Sequence, residues 1–64
     1  MALTTMERAA HAVAAAVFVN RARRRIQKIR DLMTVGHRPL INLEMSRLEQ
    51  DVDEAVANYV AAKS

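Results

Sequence analysis

The sequence predicts an all-α fold, a two-helix antiparallel hairpin of coiled-coil type. Three observations support this fold class. The 64 residues include one glycine, one proline and two aromatic residues, a composition typical of long helices. Apolar residues recur at spacings of three and four in two segments, without the alternation of a strand. Turn-forming residues are concentrated in one short stretch, "TVGHRP", between these segments.

Local signals set the helix boundaries in a single domain of residues 1–64. Thr4 and Glu7 have the spacing of a capping box, which places helix 1 at about 5–35. Gly36 suits the left-handed residue that ends a helix, so the turn is 36–38. Pro39 suits a first turn, so helix 2 covers about 39–62. Arg38 precedes the proline and is expected outside the helical region.

The apolar stripe of each helix predicts the interface between them. Folding the chain at His37 pairs residues whose numbers add to 74, so that Ile26 meets Leu48 and Ala22 meets Val52. Small residues then tend to face large ones away from the turn, which predicts close packing. The predicted seam consists of Ala12, Ala15, Val19, Ala22, Ile26, Ile29 and Met33 with Ile41, Met45, Leu48, Val52, Ala55, Tyr59 and Ala62.

Charge is divided unevenly between the two helices. Helix 1 carries seven basic and two acidic residues, and helix 2 carries five acidic and two basic ones. The predicted register places Arg23 near Glu49 and Arg25 near Asp51. Exposed pairs of this kind contribute about 0–1 kcal/mol each. Their main expected role is to disfavour parallel or slipped pairings, in which like charges would meet.

Three basic residues are predicted to lie away from the acidic helix. A basic stripe can follow the phosphates of a nucleic acid, although a solvated face is the simpler interpretation. No base-reading motif accompanies the stripe, so nucleic-acid binding would be weak and without sequence preference. These candidate contacts are Arg21, Arg24 and Lys28.

A second apolar stripe, here called the N-terminal stripe, is predicted to lie on nearly the opposite face of helix 1. Contiguous exposed apolar surface on a small protein usually marks a binding site. A second copy forming a four-helix bundle, or a larger assembly such as a virion or bacterial complex, could cover it. The basic residues follow the apolar segment instead of flanking it, which argues against a membrane-surface role. The N-terminal stripe consists of Leu3, Met6, Ala10, Val13 and Val17, and Val56 and Val60 of helix 2 complete the candidate interface near the same end of the hairpin.

The residues that usually carry chemistry are sparse. No cysteine is present, and His11 and His37 lack metal-ligand spacing, so we expect no metal, no cofactor and no enzymatic activity. The longest apolar run, residues 12–19, is too short to span a bilayer, and we expect a cytoplasmic protein or a part of a soluble assembly. The leading hypothesis is a structural or adaptor module that binds protein. The alternatives are a small basic protein associated with nucleic acid and an inhibitor-like protein binder.

Overall fold

The computed structural model describes residues 2–64, which form two α-helices and no strand. Helix α1 spans Thr5–Val35 and helix α2 spans Arg38–Lys63. The helices lie antiparallel in a rod of 48 × 16 × 10 Å. The predicted all-α hairpin is therefore confirmed.

Capping interactions fix both ends of α1. The Thr4 hydroxyl accepts a hydrogen bond from the Glu7 backbone N–H at 3.1 Å, and the Glu7 carboxylate accepts one from the Thr4 N–H at 3.4 Å. This is the predicted capping box. Gly36 has a φ of 79° and donates its N–H to the Leu32 carbonyl at 2.8 Å. A side chain at this left-handed position would strain the backbone, which explains the glycine.

Helix α2 begins one residue earlier than predicted. Arg38 is its first helical residue, and Pro39 is the second. The expectation that Arg38 lies outside the helical region is therefore wrong. His37 caps the helix through its Nδ1 atom, which accepts the Leu40 N–H at 3.3 Å, while its carbonyl accepts the Ile41 N–H at 3.0 Å. These two bonds offset the preference for extended backbone before a proline.

The two helices are aligned along their axes close to the predicted register. Four contacts between side chains of different helices join Arg25 to Glu44, Arg25 to Asp51, Lys28 to Glu44 and His11 to Asn58. The paired residue numbers add to between 69 and 76, on both sides of the predicted 74. The alanines at the centre of the interface are buried as expected, so the close packing is also confirmed for Ala15, Ala22 and Ala55.

The helices are, however, rotated about their axes relative to the predicted seam. Six of its large apolar residues are 39–64% exposed along one side of the hairpin, which makes this part of the prediction wrong: Val19, Ile26, Met33, Met45, Val52 and Tyr59. The residues one position earlier are partly or fully buried instead, and most of them are polar: Phe18, Arg25, Leu32, Glu44, Asp51 and Asn58. The rotation is what allows Arg25 to contact two carboxylates across the interface.

Candidate protein-docking surface

One side of the interface holds a charge cluster, consisting of Arg25, Lys28, Glu44, Arg47 and Asp51. Arg25 donates from Nη1 to Glu44 Oε2 at 2.7 Å and from Nε to Asp51 Oδ2 at 2.9 Å. The Nζ of Lys28 lies 3.5 Å from Glu44 Oε1, and the Nη1 of Arg47 lies 3.3 Å from the same oxygen. One guanidinium on α1 thus links two acidic residues that lie two turns apart on α2.

The buried carboxylates of the charge cluster are neutralised by basic residues of the hairpin itself. Glu44 is only 2% exposed, yet both of its carboxylate oxygens have basic partners. The hydrogen bond from Arg25 and the positive charge of Lys28 lower the pKa of Glu44, although burial opposes the shift. Hydrogen bonds to Asp51 and Glu44 raise the pKa of Arg25. Buried charges are tolerated when they are paired in this way, so Glu44 and Asp51 need no partner outside the hairpin.

The opposite side of the interface is apolar, and we call it the groove face. It carries the six exposed residues of the predicted seam, from Val19 to Met33 on α1 and from Met45 to Tyr59 on α2. Residues seven apart on a helix lie on nearly the same face, which makes the two rows continuous.

An open groove of about 380 Å³ runs along the groove face near the free end of the hairpin. Its floor includes the close-packed Ala15 and Ala55, because methyl side chains leave a depression between the two helices. The larger side chains of Val19, Val56 and Tyr59 also line the groove, and Ala12 and Ala16 complete the lining. The groove therefore presents an apolar, shape-defined surface to solvent, the kind of surface that usually binds another protein.

The structure does not bring all residues of the candidate interface together on one surface. Val13 and Val17 each lie two residues from buried Ala15, about 200° around α1, and therefore face away from α2. Val56 instead lines the groove, and Val60 is exposed on α2. Leu3 is half-buried, and the remaining two residues, Met6 and Ala10, are exposed.

The three candidate nucleic-acid contacts are not equivalent. Lys28 lies against Glu44, so its predicted position away from the acidic helix is wrong. The guanidinium of Arg21 stacks over the Phe18 ring at 5.3 Å, and Arg24 is exposed. All three residues line an open cavity of about 260 Å³ with Arg25 and Glu44. The positive charge of this cavity is partly offset by the Glu44 carboxylate.

The interhelical ion pairs were only partly predicted. Arg25 and Asp51 are paired as expected. Among residues 2–64, Arg23 forms no ion pair, and Glu49 forms none either, so the second predicted pair is absent from the hairpin. The role of Glu44 was missed altogether. A signal for it exists in the sequence, since Glu44, Asp51 and Asn58 recur every seven residues beside the apolar stripe.

The polar contacts nearest the free end involve His11. Its ring nitrogen Nδ1 lies 2.8 Å from Asn58 Oδ1, and a proton on Nδ1 makes this contact a hydrogen bond to the amide oxygen. Asn58 Nδ2 also donates to the Glu54 carbonyl at 2.8 Å. Over residues 2–64, no group of three histidine or acidic side chains could hold a metal ion. Within the same range, no helix is both long and apolar enough to cross a membrane.

Comparison with known proteins gives no relative for this chain. No protein-family model matches it, and neither a curated protein nor a solved structure shows significant similarity to it.

Proposed function

We propose that this chain is a non-enzymatic structural or adaptor module whose apolar surface either joins copies of the chain or docks it on a larger assembly. A single observation carries this proposal. The buried apolar core consists of three alanines and one isoleucine, Ile29, whereas fourteen larger apolar residues are exposed among residues 2–64. The chain therefore leaves more apolar side chains in water than it buries.

The hairpin buries too little apolar surface to be stable by itself, which favours a partner that covers the exposed apolar residues. Burial of apolar surface stabilises by about 25 cal/mol per Å², and alanine side chains have little surface to bury. Chains of fewer than about 70–80 residues rarely fold stably on a single small core without a disulfide, a metal or a partner. Cysteine is absent from this sequence and no side-chain cluster of residues 2–64 could hold a metal ion, so a partner is the source of stability that we propose.

The groove face is the surface that best fits this function. It has large apolar side chains from both helices, a concave floor of alanines, and no charged residue among those that line the groove. These are the properties of the apolar centre of a protein–protein interface. An inhibitor-like binder would use the same surface, and the identity of the partner separates the two roles.

Circular dichroism of the free chain as a function of concentration tests the proposal. We expect helicity and melting temperature to rise from micromolar to millimolar concentration, or the isolated chain to be poorly folded until a partner is present. An apolar dye should bind the dilute chain. A fully helical monomer whose melting is independent of concentration, and which does not bind the dye, would show that the surface needs no cover.

A further inference from the structure

We propose that a second copy of the chain covers the groove face, in a four-helix bundle whose twofold axis runs parallel to the helices. Both turns would then lie at the same end of the bundle, and α1 of each copy would pack against α2 of the other. This inference rests on the proposed function, because it names the partner for the same surface.

The positions of the exposed apolar residues match those of a bundle core. In a four-helix bundle each helix has two neighbours, so its apolar stripe points between them and not directly at either one. The stripe here includes the interface positions Ala22 and Ile29 and continues onto the groove face through Val19, Ile26 and Met33. Both helices are rotated about their axes relative to the predicted seam, and packing against a second pair of helices requires a rotation of this kind.

The exposed area is also consistent with one missing partner. The hairpin has an accessible surface of 5078 Å². A compact monomer of 7.2 kDa would expose only about 4,100 Å², according to the scaling of surface with mass. The excess is on the order of 1,000 Å², and a standard protein–protein interface buries about 800 Å² on each partner.

The edges of the groove face are complementary between α1 and α2. On α1 the edge positions directly follow the buried residues Ala15, Ala22 and Ile29, which gives Ala16, Arg23 and Arg30. On α2 they directly follow Ile41, Leu48 and Ala55, which gives Asn42, Glu49 and Val56. The groove lining confirms this assignment for the first edge residue of α1 and the last of α2.

The axial register determines which edge residues meet in the proposed bundle. A twofold axis along the helices keeps both copies at the same level, so the pairing near 74 also applies between copies. Arg23 then lies opposite Glu49 of the second copy, and Ala16 lies opposite its Val56. Arg23 and Glu49, which form no ion pair within residues 2–64, thus acquire one, and the apolar edge residues meet each other.

A perpendicular twofold axis would also stack the groove faces but would give a worse match. In that arrangement α1 packs against α1 of the second copy, which brings together the edges that carry Arg23 and Arg30. The α2 edge that carries Glu49 would likewise pack against the same edge of α2 in the second copy. Opposed like charges are destabilising and suppress an incorrect arrangement. Charge therefore selects the axis parallel to the helices.

Charge reversal in the full chain, followed by sedimentation equilibrium, tests this arrangement. We expect the wild type to be a dimer, and Arg23→Glu and Glu49→Arg each to raise its dissociation constant about tenfold, because two ion pairs per dimer become repulsive. The double variant, with both charges exchanged, should restore the wild-type constant. Circular dichroism at matched concentration is the control that helicity is retained.

The alternative outcomes separate this inference from the proposed function. A dimer that is insensitive to both reversals, or an assembly of another size, would overturn the twofold arrangement while the docking function stands. A poorly folded monomer that binds an apolar dye would also overturn it, and would leave the surface for a different protein. A well-folded monomer that does not bind the dye would overturn both.

Discussion

The two sides of the hairpin interface differ in whether a single chain can bury their side chains. On one side, Arg25, Glu44 and Asp51 bury charge and satisfy it within the hairpin. On the other, residues such as Val52 and Tyr59 remain in water within a single chain. The charged side fixes how α1 and α2 align, because its ion pairs require particular partners. The apolar side has no comparable specificity, and its burial depends on a second surface.

This difference predicts which residues stabilise one chain and which stabilise an assembly. Ile29 and Ile26 allow the most direct comparison, because both are isoleucines on α1 and differ in exposure, at 9% and 39%. Ile29→Ala should cost about 2–5 kcal/mol of unfolding free energy at every concentration, because it creates a cavity within the hairpin. Ile26→Ala should act mainly at concentrations at which the chain associates. Thermal melts of both variants over a range of concentrations would measure this, and equal losses in dilute solution would contradict it.

The charge cluster should be the next most sensitive region. Arg25→Gln leaves Asp51 without an ionic partner and Glu44 with only Lys28 and Arg47, and a buried carboxylate that loses its partner is strongly destabilising. We expect a clear fall in melting temperature. Arg24→Gln is the matched control, because Arg24 is the exposed neighbour and should melt like the wild type. Similar melting of both variants would show that the cluster contributes little to stability.

The lowered pKa of Glu44 predicts a loss of stability in acid. Arg25 donates a hydrogen bond to the folded carboxylate and Lys28 lies beside it, so Glu44 binds a proton less readily than in the unfolded chain, where its ordinary pKa is 4.5. The resulting stabilisation is complete above pH 4.5 and is lost as pH falls through the lowered pKa. Glu44→Gln should flatten this part of the melting profile, whereas Glu54→Gln should not. An unchanged profile for the first variant would assign the acid sensitivity to another group.

The features that could be predicted from sequence are those set by local rules. The capping box at Thr4 and the left-handed Gly36 follow from their own neighbours, and the length of each helix follows from the absence of breakers. The rotation of the interface could not be predicted in the same way. An apolar stripe shows which side of a helix avoids water but not which neighbour covers it. The apolar pattern of α2 predicts that Met45, Val52 and Tyr59 pack on α1, whereas the polar row Glu44, Asp51 and Asn58 beside them makes the contacts with α1.

The smallest predicted effect concerns nucleic acid. Arg21 and Arg24 are the candidate phosphate contacts that remain outside the ion pairs of residues 2–64. Replacing both with Gln should leave melting nearly unchanged and should lower the salt dependence of any duplex binding by about two units of slope. Binding titrations at several salt concentrations would measure it. Tight binding with sequence preference would make the basic surface a principal function.

The most direct test of the central claim is the mass in solution of two valine variants. Val17 and Val52 are 46% and 45% exposed, but Val17 belongs to the N-terminal stripe and Val52 to the groove face. We predict that sedimentation equilibrium gives twice 7.2 kDa for the wild type and for Val17→Glu, and 7.2 kDa for Val52→Glu. A Val52→Glu chain that keeps the dimeric mass, or a Val17→Glu chain that loses it, would contradict the assignment of the groove face as the docking surface.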